Sequence, residues 1–171
     1  MLLVRPATIS DAAALAALAV RTFRATYIPA SAAADVEAYI GAHFSAERQA
    51  EEIAGGAMAT LIGLDGTEPR AYVQLRWDAP NAGVVAERPV EVARFYVDAP
   101  LHGSGASHTL MRAALDAAIA RGADAAWLGV WERNARAIAF YTRWGFAPVG
   151  SQTFVMGSDA QRDRVLARTL P

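Results

Sequence analysis

The sequence predicts an α/β domain built around a single mixed central sheet, on the strength of three observations. Apolar or alternating runs and 3.6-periodic segments follow one another as strand, helices, strands, helix, strand, helix, strands. Proline and glycine separate those segments, at Pro29, Gly55-Gly56, Asp65-Gly66, Gly122 and Gly145. The 171 residues suit one domain, 1–171, with a full core and no internal repeat or linker.

Residues 2–5 read as a first strand. Thr8 or Ser10 can cap a helix running to about Arg24, with Leu15, Leu18 and Phe23 as its apolar positions. A second helix spans 32–43, and a third starts at Ser45 and runs toward Ile53. Strands over 57–64 and 70–77 are joined by Asp65-Gly66, a good hairpin turn. In the strand over 90–97, strict alternation sets Val90, Val92, Arg94 and Tyr96 against Glu91, Ala93, Phe95 and Val97. A glycine-containing loop over 100–107 leads to a helix over 110–121, and a strand over 126–130 follows. The helix over 134–144 has Asn134 as N-cap, and Ile138, Tyr141 and Trp144 share a face. A strand over 147–156 comes next, and 163–170 can be either a last strand or a short helix.

Composition narrows the function. The chain is 54% hydrophobic and 19% charged, as expected of a globular domain. No apolar run is long enough to span a membrane, and no basic segment precedes an apolar one at the start, so a cytoplasmic location is expected. With no cysteine, disulfides, zinc–thiolate sites and thiol nucleophiles are excluded, and no metal site is expected. All sixteen basic residues are arginine, and the net charge of −1 gives no case for nucleic acid. The charge is uneven: residues 31–91 carry ten acids against four arginines, and the rest carries twelve arginines against seven acids. That polarity suits a cationic ligand on one side and an anionic one on the other, and it equally suits ordinary solvated surface charge.

Two segments carry chemistry. The loop His102-Gly103-Ser104-Gly105-Ala106-Ser107 lies between a strand and a helix, where free amides favour an anion. It is neither a P-loop nor a dinucleotide fingerprint, since no Gly-Lys-Ser/Thr follows and His108 stands where a third glycine belongs. The second is the pattern N-x-x-A-x-x-F-Y-x-x-x-G-F, carried by Asn134, Ala137, Phe140, Tyr141, Gly145 and Phe146 after a valine-containing strand.

That second pattern resembles the C-terminal half of the GCN5-related N-acetyltransferases (GNAT superfamily). Through WLGVWERN, AIAFY, WGF and F-x-M-G it is most similar to the PaiA-type spermidine/spermine N-acetyltransferases. The resemblance implies a GNAT fold, with helices on both faces of the sheet, a splay between the two central strands, and residues 163–170 as a strand. It implies acetyl-CoA as co-substrate, with the diphosphate on residues 102–107 and the pantetheine on the Phe95, Tyr96 and Val97 backbone and on Asn134. The family's Gln/Arg-x-x-Gly-x-Gly/Ala pattern stands here with His102 first, Gly105 kept and Ser107 last. Tyr141 matches the general acid that protonates the leaving thiolate, and Glu91 is the candidate base toward the amine. Tyr27, Tyr39, Glu37 and Trp77 are candidate acceptor-lining residues, with His43 and His108 weaker choices for a base. The expected acceptor is a small polyamine. A peptide or another amine, a silent acyl-CoA sensor and a scaffold stand as alternatives, and the resemblance allows a homodimer.

Overall fold

The strands form where inward apolar positions recur at every second residue, so that each can bury one edge of its pleat. In the computed structural model, which describes residues 2–171, they are β1 (Leu3–Pro6), β2 (Met58–Asp65), β3 (Glu68–Arg76), β4 (Pro89–Val97), β5 (Ala125–Trp131), β6 (Ala147–Met156) and β7 (Asp159–Thr169). The helices are α1 (Ala12–Tyr27), α2 (Ala33–His43), α3 (Ala46–Ala54), α4 (Ala106–Ala120) and α5 (Ala135–Arg143). One seven-stranded sheet runs in the order β1-β2-β3-β4-β5-β7-β6. Every neighbouring pair is antiparallel except β4 and β5. Among the described residues no helix is long and apolar enough to cross a membrane.

Helices cover both faces. On one, Leu110, Met111 and Leu115 of α4 and Tyr141 of α5 pack on Val73, Leu75, Val90 and Val92. On the other, Leu15, Leu18 and Phe23 of α1 and Val36 and Ile40 of α2 pack around Tyr72 and Met156. The expected splay is present. The parallel pairing of β4 with β5 runs from Pro89↔Ala125 to Glu91↔Trp127 and stops, although β4 continues to Val97 and β5 to Trp131.

The strict alternation expected in β4 does not hold. The register against β3 passes from Leu75↔Val92 to Gln74↔Arg94, leaving Ala93 as an extra residue, a β-bulge. Past the bulge every side chain changes face. Phe95 and Val97 join the cluster that holds Val90 and Val92, while Tyr96 packs with Tyr72 on the α1–α2 side. Glu91, Arg94 and Tyr96 therefore share a face that simple period-two reading divides between them.

Some boundaries moved. α4 starts at Ala106, a turn earlier than expected, because Gly105 at φ 88° caps it in the left-handed conformation. The last element is a strand: β7 pairs with β6 from Asp159 to Ala167 and with β5 from Asp163 to Thr169.

Candidate active site

The parting of β4 and β5 opens a groove of about 1000 Å³. One half is walled by backbone and by the loop before α4. The Asp98 amide donates to the Arg70 carbonyl at 2.7 Å. By the alternation of an antiparallel ladder, Tyr96 then turns its N–H and C=O toward β3, and Phe95 and Val97 turn theirs into the gap. Unpaired strand groups along a gap can accept an extended amide-bearing chain as an added strand would. His102 takes one of them. Its Nε2 lies 2.9 Å from the Val97 carbonyl, and its Nδ1 lies 3.1 Å from Arg136 Nη1. A guanidinium only donates, so Nδ1 accepts, and Nε2–H donates to Val97.

The glycine loop divides by role. His102, Gly103, Gly105 and Ser107 line the groove. Ser104 and Ala106 do not. The Ser104 hydroxyl donates to the Leu101 carbonyl at 2.7 Å and accepts from the Ala106 amide at 3.3 Å, which knits the loop to itself. The amides of Gly103, Gly105 and Ser107, at the start of a helix of 15 residues, are left to meet an anion. Arg133, Arg136 and Arg143 also face this half and were not singled out by sequence, where they look like ordinary surface charge. Asn134 lines the groove and caps α5, its Oδ1 accepting from the Ala137 amide at 3.1 Å.

Tyr141 closes the groove from α5. It is 8% exposed. Burial pushes its phenol well above the usual range, the Tyr27 phenol adds to the rise, and no hydrogen bond lowers it. The group stays protonated and able to give its proton.

The other half lies toward α1 and α2 and is made of side chains. Phe23, Tyr27, Tyr39 and Phe44 form its wall with Trp131 and Phe154; Tyr27 lies 6.1 Å from Phe154 and Tyr39 5.3 Å from it, centroid to centroid. Tyr27 and Tyr39 are where the sequence led one to expect them. Two other expectations fail. Trp77 packs with the α4 side of the sheet under Arg121, 4.5 Å from its ring, and Glu37 is exposed and ion-paired with Arg24 at 2.6 Å. His43 does not line the groove; His108 does, accepting from Trp144 Nε1 at 3.1 Å.

Three carboxylates line the groove. Glu91 is paired with Arg76 at 2.6 Å; burial raises its pKa against the pull of that arginine. Asp98 is held by Arg21 and Arg70, each at 2.9 Å. Asp163, 8% exposed, has no arginine beside it among the described residues, its Oδ1 has no partner among them, and burial alone pushes it to about 6. Sequence reading passed over Asp163. The signal was the alternation of Gln161, Asp163 and Val165 against Arg162 and Arg164, visible only once that segment is known to be a strand. Among the described residues no group of three His, Asp or Glu side chains is placed to hold a metal.

The profile of the acetyltransferase (GNAT) family matches residues 14–146. The chain belongs to the GNAT family. An uncharacterized N-acetyltransferase of Mycobacterium tuberculosis is 34% identical to this GNAT chain over 167 residues, 94% of the chain and 99% of the relative. An uncharacterized N-acetyltransferase of Lactobacillus delbrueckii subsp. lactis is 26% identical over 155 residues, 90% of the chain and 89% of the relative. Among solved structures, the PaiA N-acetyltransferase of Thermoplasma acidophilum in complex with coenzyme A superposes with a TM-score of 0.82 at 19% identity, covering 99% of each chain. That likeness is one of fold. This GNAT chain is an acetyl-CoA-dependent N-acetyltransferase, of a family whose acceptors are small molecules or peptides.

Proposed function

We propose that this domain moves the acetyl group of acetyl-CoA to a primary amine of a small polyamine, such as spermidine or spermine, in the cytoplasm. The observation that carries the reading is the acceptor half of the groove, where Tyr27, Tyr39, Trp131 and Phe154 stand around acidic side chains. Rings and carboxylates together are the surroundings that ammonium groups favour.

The co-substrate fits the other half. The diphosphate falls to the amides of Gly103, Gly105 and Ser107, and the pantetheine to the Phe95 and Val97 backbone beside Asn134. Gap-facing backbone donors of β4 polarise the thioester carbonyl. The amine nitrogen attacks that carbon, a C–N bond forms, the C–S bond breaks, Tyr141 gives the sulfur its proton, and the proton shed by the new amide nitrogen returns to the Tyr141 phenol. Glu91, steadied by Arg76, takes the proton the ammonium must lose, directly or through water. The chain has no cysteine, so transfer is direct, within a complex of both substrates.

Thiol release from acetyl-CoA across a panel of amines tests this, and a protein without cysteine adds no thiol signal of its own. Release that depends on spermidine or spermine is the expected result. Release only with peptide amines would replace the polyamine, and a silent panel with coenzyme A still bound would make the domain a sensor.

A further inference from the structure

We infer that Asp163 is the anchor for a second, non-reacting ammonium of the acceptor, and that the chain therefore selects amines carrying at least two nitrogens. The inference rests on the polyamine reading above and assigns it a residue.

Of the three groove carboxylates, Glu91 and Asp98 are already neutralised by arginines, and Asp163 is not. An enclosed carboxylate without a counter-charge is costly and favours an incoming cation. Its surroundings suit one. Trp131 is its cross-strand neighbour on β5, and Gln152 on β6. Tyr27 stands over both Trp131 and Phe154, at 6.3 and 6.1 Å between centroids, so aromatic faces flank the acid. The groups that face it from the helices, Tyr27 and Tyr39, are neutral phenols whose pKa values burial holds above the usual range. The arginines next to it in sequence, Arg162 and Arg164, are on exposed positions of the opposite face of β7.

The place along the groove fixes which nitrogen is held. A β-carbon on Gly129 would come within 3.1 Å of Asp163 Oδ2, so the carboxylate leans over Gly129. Gly129 is two residues beyond Trp127, where β4 and β5 part, which is about 7 Å along the strand. That offset is comparable to the separation of neighbouring nitrogens in a diamine. With one nitrogen on Asp163, the next can reach the parting of the strands, where Glu91 stands on the same face.

The experiment compares the wild type with Asp163→Asn, using spermidine, 1,4-diaminobutane and butylamine as acceptors. Spermidine is also titrated calorimetrically into the protein saturated with coenzyme A. The wild type should favour the diamines over butylamine. In D163N the KM for the diamines should rise about 10- to 100-fold, as expected for loss of a charged hydrogen bond, and the preference over butylamine should collapse. The KM for acetyl-CoA reports that the cofactor half is intact. A collapse of kcat at unchanged diamine KM would overturn the anchor and make Asp163 a base. Spermidine that fails to bind the wild-type complex would overturn it too. Spermidine bound through Asp163 but never acetylated would keep the anchor and remove the transfer reading. If D163N does not fold, Trp131→Leu serves as the second variant: spermidine binding weakened several-fold supports the box, and unchanged binding overturns it.

Discussion

The two halves of the groove are built differently. The cofactor half is mostly backbone: glycine amides at the start of α4 and the unpaired edge of β4. The acceptor half is side chains delivered from α1, α2, β5, β6 and β7, residues as far apart as Tyr27 and Asp163. Backbone recognition tolerates a change of side chain, as His102 illustrates by bonding the Val97 carbonyl and Arg136 where the family pattern has Gln or Arg. Side-chain recognition does not, and so substitutions should damage the two halves unequally.

The largest effect belongs to the residue that faces both halves. Tyr141→Phe should lower kcat by about 10²- to 10³-fold while acetyl-CoA still binds, as for loss of a positioned acid. Steady-state kinetics with calorimetry of coenzyme A separates the two; unchanged turnover removes Tyr141 from the mechanism.

Gly129→Ala probes the acceptor half alone. The added methyl would stand 2.6 Å from Gln152 Nε2 and 3.1 Å from Asp163 Oδ2, so one of them must move. The KM for the amine should rise about tenfold, a displaced charge-assisted contact, with a much smaller change for acetyl-CoA. Equal changes in both constants would mean that the halves are not independent.

The smallest effect concerns stability. Asp163 is shifted up from 3.8 to about 6, so the folded chain binds more protons than the unfolded one between those values. Stability of the free protein should therefore fall as pH rises through that window and stay lower above it. Asp163→Asn removes the penalty and should stabilise the protein at pH 7 by about 1–2 kcal/mol, the roughly 1.4 kcal/mol per unit being reduced for residual solvent. Thermal unfolding of both proteins at pH 4 and pH 7 reads this. Parallel pH dependence in the two would show that another group meets the Asp163 charge.

The same contrast explains what could be read from the sequence. The cofactor half is local: Asn134, Tyr141 and Gly145 fall within 12 residues, and the loop 102–107 is continuous, so spacing alone exposes them. The order of elements was equally plain, although the β2–β3 hairpin turns on Gly66-Thr67, one residue beyond the expected Asp65-Gly66, with Asp65 paired to Glu68. The acceptor half depends on which strands become neighbours, and no local pattern encodes that. Asp163 meets Trp131 only because β7 enters between β5 and β6. Trp77 looked like acceptor lining because an aromatic near a strand end has no readable face. The bulge at Ala93 escaped notice because Val-Glu-Val-Ala-Arg-Phe-Tyr-Val is a fair strand in either phase.

That single extra residue has a reach beyond its own position. It acts as a half-step in the winding of β4, so the strand serves the hydrophobic interior with Val90 and Val92 before it and with Phe95 and Val97 after it. Insertions and deletions in β4 are consequently not equivalent to substitutions. Straightening β4 with all its residues kept would exchange the inside and outside of half the strand, whereas losing Ala93 itself would restore a regular pleat with Val90, Val92, Phe95 and Val97 still facing the core.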